Sequence, residues 1–225
     1  MREVVIDTET TGLNYKLGDR LIEVACVELK NCVQTGNNLQ FYCNPKRKIS
    51  DGAKKIVGIT DDFLEKQEVF ETNYKNFLDF IKNDTLVIHN SDFDLGFINH
   101  ELSLIGVKPI TNPVVDTVSL ARKVLNTRIA NLDYLCRRFN IDLSDRNFHG
   151  ALLDSQLLSA VYLELRGGKQ FSMKLDEREL GEEKAEIIEK NKHKIRKILL
   201  EKDQIFSHKK MLKKIKNPIW NKFNY

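Results

Sequence analysis

No Cys-x-x-Cys pair occurs in the chain, and its four cysteines, Cys26, Cys32, Cys43 and Cys136, sit mostly inside apolar patterns. This excludes a zinc ribbon and a disulfide frame and reads as reduced, inert thiols. No apolar run approaches the roughly 18 residues that a membrane-spanning helix needs, so no membrane contact is expected. No secretory leader is expected either, since Met1-Arg-Glu runs straight into Val-Val-Ile6 without a basic region, a long apolar stretch or a small-residue cleavage site. The expected location is cytoplasmic. Internal repeats and low-complexity tracts are absent, and 225 residues then suit one sizeable domain with a tail.

What is present is charge, unevenly placed. Residues 1–168 hold 20 Lys+Arg against 23 Asp+Glu, a balance of −3, whereas residues 169–225 hold 16 against 9, a balance of +7. The basic surplus belongs to the tail. Any grip of the acidic body on a polyanion therefore needs a local patch or bound cations.

Short runs rich in Val, Ile, Leu, Phe or Tyr, edged by Gly, Asn or Pro, predict strands at 3–7, 20–29, 38–43, 85–89 and 113–116. Gly12, Gly18 and Gly36-Asn-Asn38 separate the first three, which predicts antiparallel neighbours. Helical periodicity follows at 71–82, 93–105, 117–126, 131–139 and 150–166, with Asp116 and Asn131 as N-caps and Gly167-Gly168 as a stop. Beyond Gly168 the composition turns charge-rich. Residues 169–185 read as a linker and 186–216 as helical, from the spacing of Ile187, Ile188, Ile195, Ile198 and Leu199. The fold class is mixed α/β with a basic helical C-terminal tail.

Three segments carry acids where apolar residues or caps would be ordinary. Val4-Val-Ile-Asp-Thr-Glu-Thr-Thr-Gly12 ends an apolar strand on Asp7 and Glu9, which alternation puts on one face. Two adjacent carboxylates repel and call for cations or a shared proton, although a solvated strand end gives the same spacing. In Leu86-Val-Ile-His-Asn-Ser-Asp-Phe-Asp-Leu-Gly-Phe97, Asp92 and Asp94 compete. On a helix starting near Phe93, Asp94 shares a stripe with Phe97, Ile98 and Leu102, while Asp92 suits an N-cap, so Asp94 is chosen. In His149-Gly-Ala-Leu-Leu-Asp-Ser-Gln156, Asp154 falls on the inward stripe of Ala151, Leu158, Val161 and Leu165. A carboxylate facing inward needs a partner, and His149, five residues upstream, can reach the same cleft. Four acids from three segments form an oxygen-ligand set suited to hard divalent cations such as Mg²⁺ or Mn²⁺.

Asp7-x-Glu9, Asn90-x-x-Phe93-Asp94 and His149-x4-Asp154 resemble the three motifs of the DnaQ-like 3′-to-5′ exonucleases that use four acids and a histidine. Asn131-Leu-Asp-Tyr-Leu-Cys136 and Val161-Tyr-Leu163 extend the match over about residues 1–168, closest to the family's proofreading branch, the epsilon subunits of bacterial DNA polymerase III. The resemblance implies an RNase H-like fold, a five-stranded mixed sheet flanked by helices. It implies two divalent cations, Mg²⁺ or Mn²⁺, on Asp7, Glu9, Asp94 and Asp154, with Asp7 bridging both and His149 as general base. Substrate contact falls to Asp7, Glu9, Thr10 and Asp154, and Thr8, Thr10 and Thr11 with Gly12 resemble the family's loop beside the terminal nucleotide. Around Ser50–Ile59 the chain departs from the family, with Val57 where a histidine is common and Gly52 where relatives can carry an acid. The expected substrates are single-stranded or mispaired DNA 3′ ends, released as mononucleotides.

The tail adds partners by the same resemblance. Gln170, Met173 and Leu175 look like a sliding-clamp peptide, and His208, Leu212, Ile215 and Trp220 like an end that docks the polymerase III alpha subunit, with a theta-like small subunit as a further partner. The implied division is an exonuclease domain over 1–168, a linker over 169–185 and a polymerase-binding tail over 186–225. Two other readings stand beside it: an exoribonuclease of the same superfamily, and a non-catalytic subunit bridging polymerase and clamp.

Overall fold

The computed structural model describes residues 1–144, 146, 148–167 and 202–215. The chain divides into two compact units, Met1–Ser172 and Met173–Tyr225. In the first, strands β1 (Arg2–Thr10), β2 (Leu21–Lys30), β3 (Val33–Tyr42), β4 (Thr85–Ile88) and β5 (Val114–Asp116) form one sheet of order β3-β2-β1-β4-β5. The first three are antiparallel neighbours, and β4 and β5 run parallel to β1. This is the mixed five-stranded sheet expected from the sequence.

Alternation along β1 sends its apolar side chains to two separate cores. Val4 and Ile6 pack with Phe77 and Ile81 of α3 (Phe70–Ile81) and with Phe97, Ile98 and Leu102 of α4 (Ser91–Leu104). Val5 faces the other way, onto Leu158, Val161 and Tyr162 of α7 (Ala151–Leu165) and Leu135 of α6 (Leu132–Arg138). Ala121 of α5 (Thr117–Leu125) joins the same core. Central strands buried on both faces read as continuous apolar runs, which is why Val4-Val-Ile6 and Leu86-Val-Ile88 lack alternation.

The caps lie where the sequence puts them. Asp116 Oδ1 accepts from Val118 N at 2.8 Å and Asn131 Oδ1 from Tyr134 N at 2.8 Å. Gly167 has φ 114°, in the left-handed region, just past the last turn of α7.

Three local readings are corrected. Strand β3 begins at Val33 rather than 38: Val33 to Asn38 is an exposed sheet edge, held by pairing to β2 across a bulge between Val27 and Leu29, and carries no burial pattern. Helices α1 (Asp51–Val57) and α2 (Asp61–Leu64) have no counterpart in the periodicity, since each buries a single residue. They are set by Ser50 and Thr60 as N-caps and by Gly58 at φ 72°, and Val57 and Leu64 join Ile22 and Ile49 in a small third core. Asp92 is not an N-cap. Helix α4 starts at Ser91 after Asn90 at φ 67°, which puts Asp92 inside the first turn, facing solvent.

In the second unit a helix spans Lys202–Leu212, with Leu212 buried and Ile215 46% exposed. His208, partly buried, lies on it. Gln170, Met173, Leu175 and Trp220, like Gly168 and most of the helix expected over 186–216, lie outside the described residues. No described helix is long and apolar enough to cross a membrane.

Candidate active site

Strand β1 outruns its parallel neighbour. Pairing with β4 ends at Ile6↔Ile88, whereas pairing with β2 continues through Asp7↔Ala25 and Glu9↔Glu23 before a bulge between Glu9 and Thr10. Past the end of β4 the sheet leaves a notch, and the acids gather there. Asp7 and Glu9 follow Val5 on the α7 face; Thr8 follows Ile6 on the α4 face. Thr8 Oγ1 donates to Asp94 Oδ1 at 2.7 Å, so Asp94 is held at the notch from the opposite side of the sheet.

Asp94 and Asp154 each lie in the first turn of a helix, α4 and α7, where the positive end of the helix dipole favours a carboxylate. Both are buried, at 3% and 4% exposure. The start of α7 is fixed from the sheet: Ala151 N donates to Glu23 Oε2 at 3.2 Å, and Glu23 lies opposite Glu9 in the register. Glu9, His149 and Asp154 bring ligand atoms within 4.8 Å of one another. His149 Nδ1 is 3.3 Å from Asp154 Oδ2, and its side chain is 47% exposed.

The acids disturb one another. Burial, reinforced by Asp94, Glu9, Asp154 and Glu23, holds the Asp7 carboxyl well above the usual carboxylate range. Burial first, then Asp154, Glu23 and Asp94, pushes Glu9 up to about 8, with Arg146 pulling the other way. Burial raises Asp94 to about 7 against the hydrogen bonds from Thr8 that favour its charged form. So much crowded negative charge is what a bound cation relieves, and the donors are all hard oxygens, with one imidazole at the rim. The residues present fit divalent metal ions.

The structure therefore brings together Asp7, Glu9, Asp94, Asp154 and His149, and puts Thr10 beside them with its Oγ1 on the Gly12 carbonyl at 2.5 Å. At Gly12 a Cβ would sit 2.4 Å from Asp19 Oδ2 and displace that carboxylate, which holds the turn by accepting from Thr11 Oγ1 and Asn14 N. Of the two departures from the family pattern, Val57 turns into the third core, while Gly52 leaves open space where an acid would stand. Ile56, 52% exposed, fronts the pocket in front of Thr10.

Four participants escaped the sequence reading. Arg146 donates to both oxygens of Asp154 (Nε to Oδ1 2.6 Å, a terminal nitrogen to Oδ2 2.7 Å), to Asp133 and to His149 Nδ1 at 2.9 Å. Glu23 was legible as an acid within Leu21-Ile-Glu-Val-Ala-Cys-Val27, an otherwise apolar run. His89, whose Nδ1 lies 2.8 Å from Thr117 Oγ1, lines the same cleft, and burial lowers its pKa. Arg146 and Asp133 gave no signal, being charged residues in a polar stretch and on an exposed helix face.

Comparison with known proteins agrees with this geometry. Residues 4–162 match the RNase_T exonuclease family model. The DNA polymerase III subunit epsilon of Rickettsia typhi is 41% identical over 224 residues, covering 96% of this chain and 97% of that protein. Its counterpart in Escherichia coli K12 is 38% identical over 223 residues, covering 94% and 92%. In structure the chain resembles the nuclease domain of 3′hExo, a DEDDh family member bound to rAMP, at TM-score 0.64 and 21% identity, over 74% of this chain and 92% of that one. Exonuclease I superposes at TM-score 0.67 and 18% identity, over 75% and 41%. The acids gathered at the end of β1, the sheet that carries them and a family match over residues 4–162 agree: the chain belongs to the RNase T/DnaQ family of 3′–5′ exonucleases, and these near-full-length relatives are DNA polymerase III epsilon subunits.

Proposed function

We propose that this chain proofreads replicative DNA synthesis in the cytoplasm, removing nucleotides one at a time from single-stranded or mispaired DNA 3′ ends as the epsilon subunit of a DNA polymerase III. The observation that carries the reading is the convergence of Asp7, Glu9, Asp94 and Asp154 beside His149 at the open end of the sheet. Near-full-length similarity to epsilon subunits supports DNA as the substrate and a polymerase as the partner.

Asp7, Glu9, Asp94 and Asp154 would hold two Mg²⁺ or Mn²⁺ ions, with Asp7 central because the other three acids all act on it. Bound divalent cations lower the pKa of water and offset charge developing at the phosphorus and the leaving 3′ oxygen. His149, at the rim and within reach of Asp154, accepts the proton of the attacking water. Thr8 and Glu23 keep the acids in place, one through Asp94 and one through the start of α7. The terminal nucleotide lies in the adjoining cavity of about 310 Å³, lined by Thr10, Gly12, Leu13, Ala53, Ile56 and Phe93. Backbone and small side chains there permit close approach, and Leu13 and Ile56 offer apolar surface to a base.

Residues 1–168 form the nuclease, 169–185 a linker whose Gln170, Met173 and Leu175 hold a sliding clamp, and 186–225 the polymerase-binding tail through His208, Leu212, Ile215 and Trp220, with a theta-like subunit as a further partner.

The test uses the full chain with Mg²⁺ on matched DNA and RNA oligonucleotides labelled at the 5′ end. Stepwise shortening of DNA, abolished in Asp7→Ala and severely reduced in His149→Ala, is the expected result, with co-purification of a polymerase lost on truncation after Gly168. Preference for RNA would refute the DNA assignment, and equal activity of variants and parent would refute the site.

A further inference from the structure

Arg146 lies where a cation belongs. Its side chain is only 8% exposed, and it meets Asp154 through two parallel hydrogen bonds, one to each carboxylate oxygen, while a third nitrogen holds Asp133 at the rim. Paired donors of this kind take up the lone pairs that a metal ion would use. The same guanidinium donates to His149 Nδ1, and a guanidinium has no acceptor to offer in return. A neutral imidazole accepting at Nδ1 carries its proton on Nε2, so His149 in this arrangement has no free nitrogen with which to take a proton from water.

We propose that Arg146 is a built-in counter-cation: it neutralises Asp154 and ties up His149 until a divalent cation entering the acids displaces it, which frees the ligand and the base together. The inference rests on the metal-binding reading above. Three features of the fold suit a displaceable contact. Arg146 is on the connection between α6 and α7 rather than inside a helix, with its backbone N–H on Leu143 O at 3.0 Å. Asp133 is 45% exposed and gives the guanidinium a partner further from the acids. The cleft they line with Asp7, His89, His149 and Asp154 has a volume of about 340 Å³, ample for a planar group to swing through.

A ligand competing with an internal cation binds more weakly than it would without one, so removing the cation tightens metal binding. The full chain without DNA is titrated calorimetrically with Mn²⁺, as parent, Arg146→Gln and Arg146→Lys. Gln is expected to bind Mn²⁺ about tenfold more tightly, equivalent to ~1.4 kcal/mol, with Lys between the two because it keeps the charge but loses the paired geometry. Equal or weaker binding by Arg146→Gln overturns the inference while leaving the metal site standing. Absence of Mn²⁺ binding in parent and variant alike overturns both. A measurement on the unaltered chain guards against a variant that fails to fold: the Arg146 Nε–Hε resonance should shift as Mg²⁺ saturates the site, and a resonance that stays put sinks the proposal.

Discussion

The backbone N–H of His149 donates to the carbonyl of Ile56 at 3.0 Å, tying the histidine's loop to helix α1 beside the cavity in front of Thr10. Phe148 supports the same junction by covering Gly58, where a Cβ would lie 2.9 Å from the ring and φ is +72°. Gly58→Ala is therefore expected to push this loop outward. Its kcat should fall by about tenfold or more, as small misplacement of a catalytic group does, while Mn²⁺ binding is not weakened. A parallel loss of metal affinity would mean that the acids, rather than the histidine, had moved.

Thr8 holds Asp94 by a hydrogen bond that Val, of nearly the same shape, cannot make. At a pH well above 7, where Asp94 is ionised, Thr8→Val should lower stability by about 1.5–3 kcal/mol, the range for hydrogen bonds to charged groups, and weaken Mg²⁺ binding. Urea unfolding and calorimetry check the two halves. A stable variant with unchanged affinity would show that Asp94 keeps its place without Thr8.

The pH dependence follows from the raised acids. Asp7, Glu9 and Asp94 bind protons more tightly folded than unfolded, so ν_U − ν_N is negative and stability falls with rising pH. In chelator their contribution is fully present below the ordinary carboxylate range, about 4, and is lost as pH climbs through about 7 for Asp94 and about 8 for Glu9. Saturating Mg²⁺ should flatten or reverse the trend. Thermal unfolding at a series of pH values with and without the ion decides it.

Asp7→Asn separates stability from chemistry. It removes a carboxyl whose ionisation is opposed first by burial and then by Asp94, Glu9, Asp154 and Glu23, so at alkaline pH the melting temperature in chelator should rise. Activity should fall by at least about a hundredfold, the scale of losing one electrostatic contact to a reacting centre. A variant that melts lower in chelator would show that Asp7 is not repelled.

Much of this is legible in the sequence because burial writes a pattern. Val4-Val-Ile6 and Leu86-Val-Ile88 are central strands and look so; Asp154 stands out because it interrupts an apolar stripe on α7. Where a segment is exposed, the pattern fades: β3 is half hidden for that reason, and α1 and α2 leave no periodic signal because caps define them. Asp92 misled for a different reason, since Asn90 in the left-handed region starts α4 early, a backbone choice that residue type alone leaves open. Arg146 shows the same limit at the site. An arginine in a polar loop looks like any other until the chain folds it onto Asp154.

Because Asp7 and Glu9 point to one side of β1 and Thr8 to the other, the strand tolerates no shift along its neighbours. A slip of one position would swap the two sets, sending the acids toward Phe97 and the threonine toward Asp154. Any molecule that cuts nucleic acid has thus already aligned its central strand correctly, and turnover doubles as an assay of correct folding.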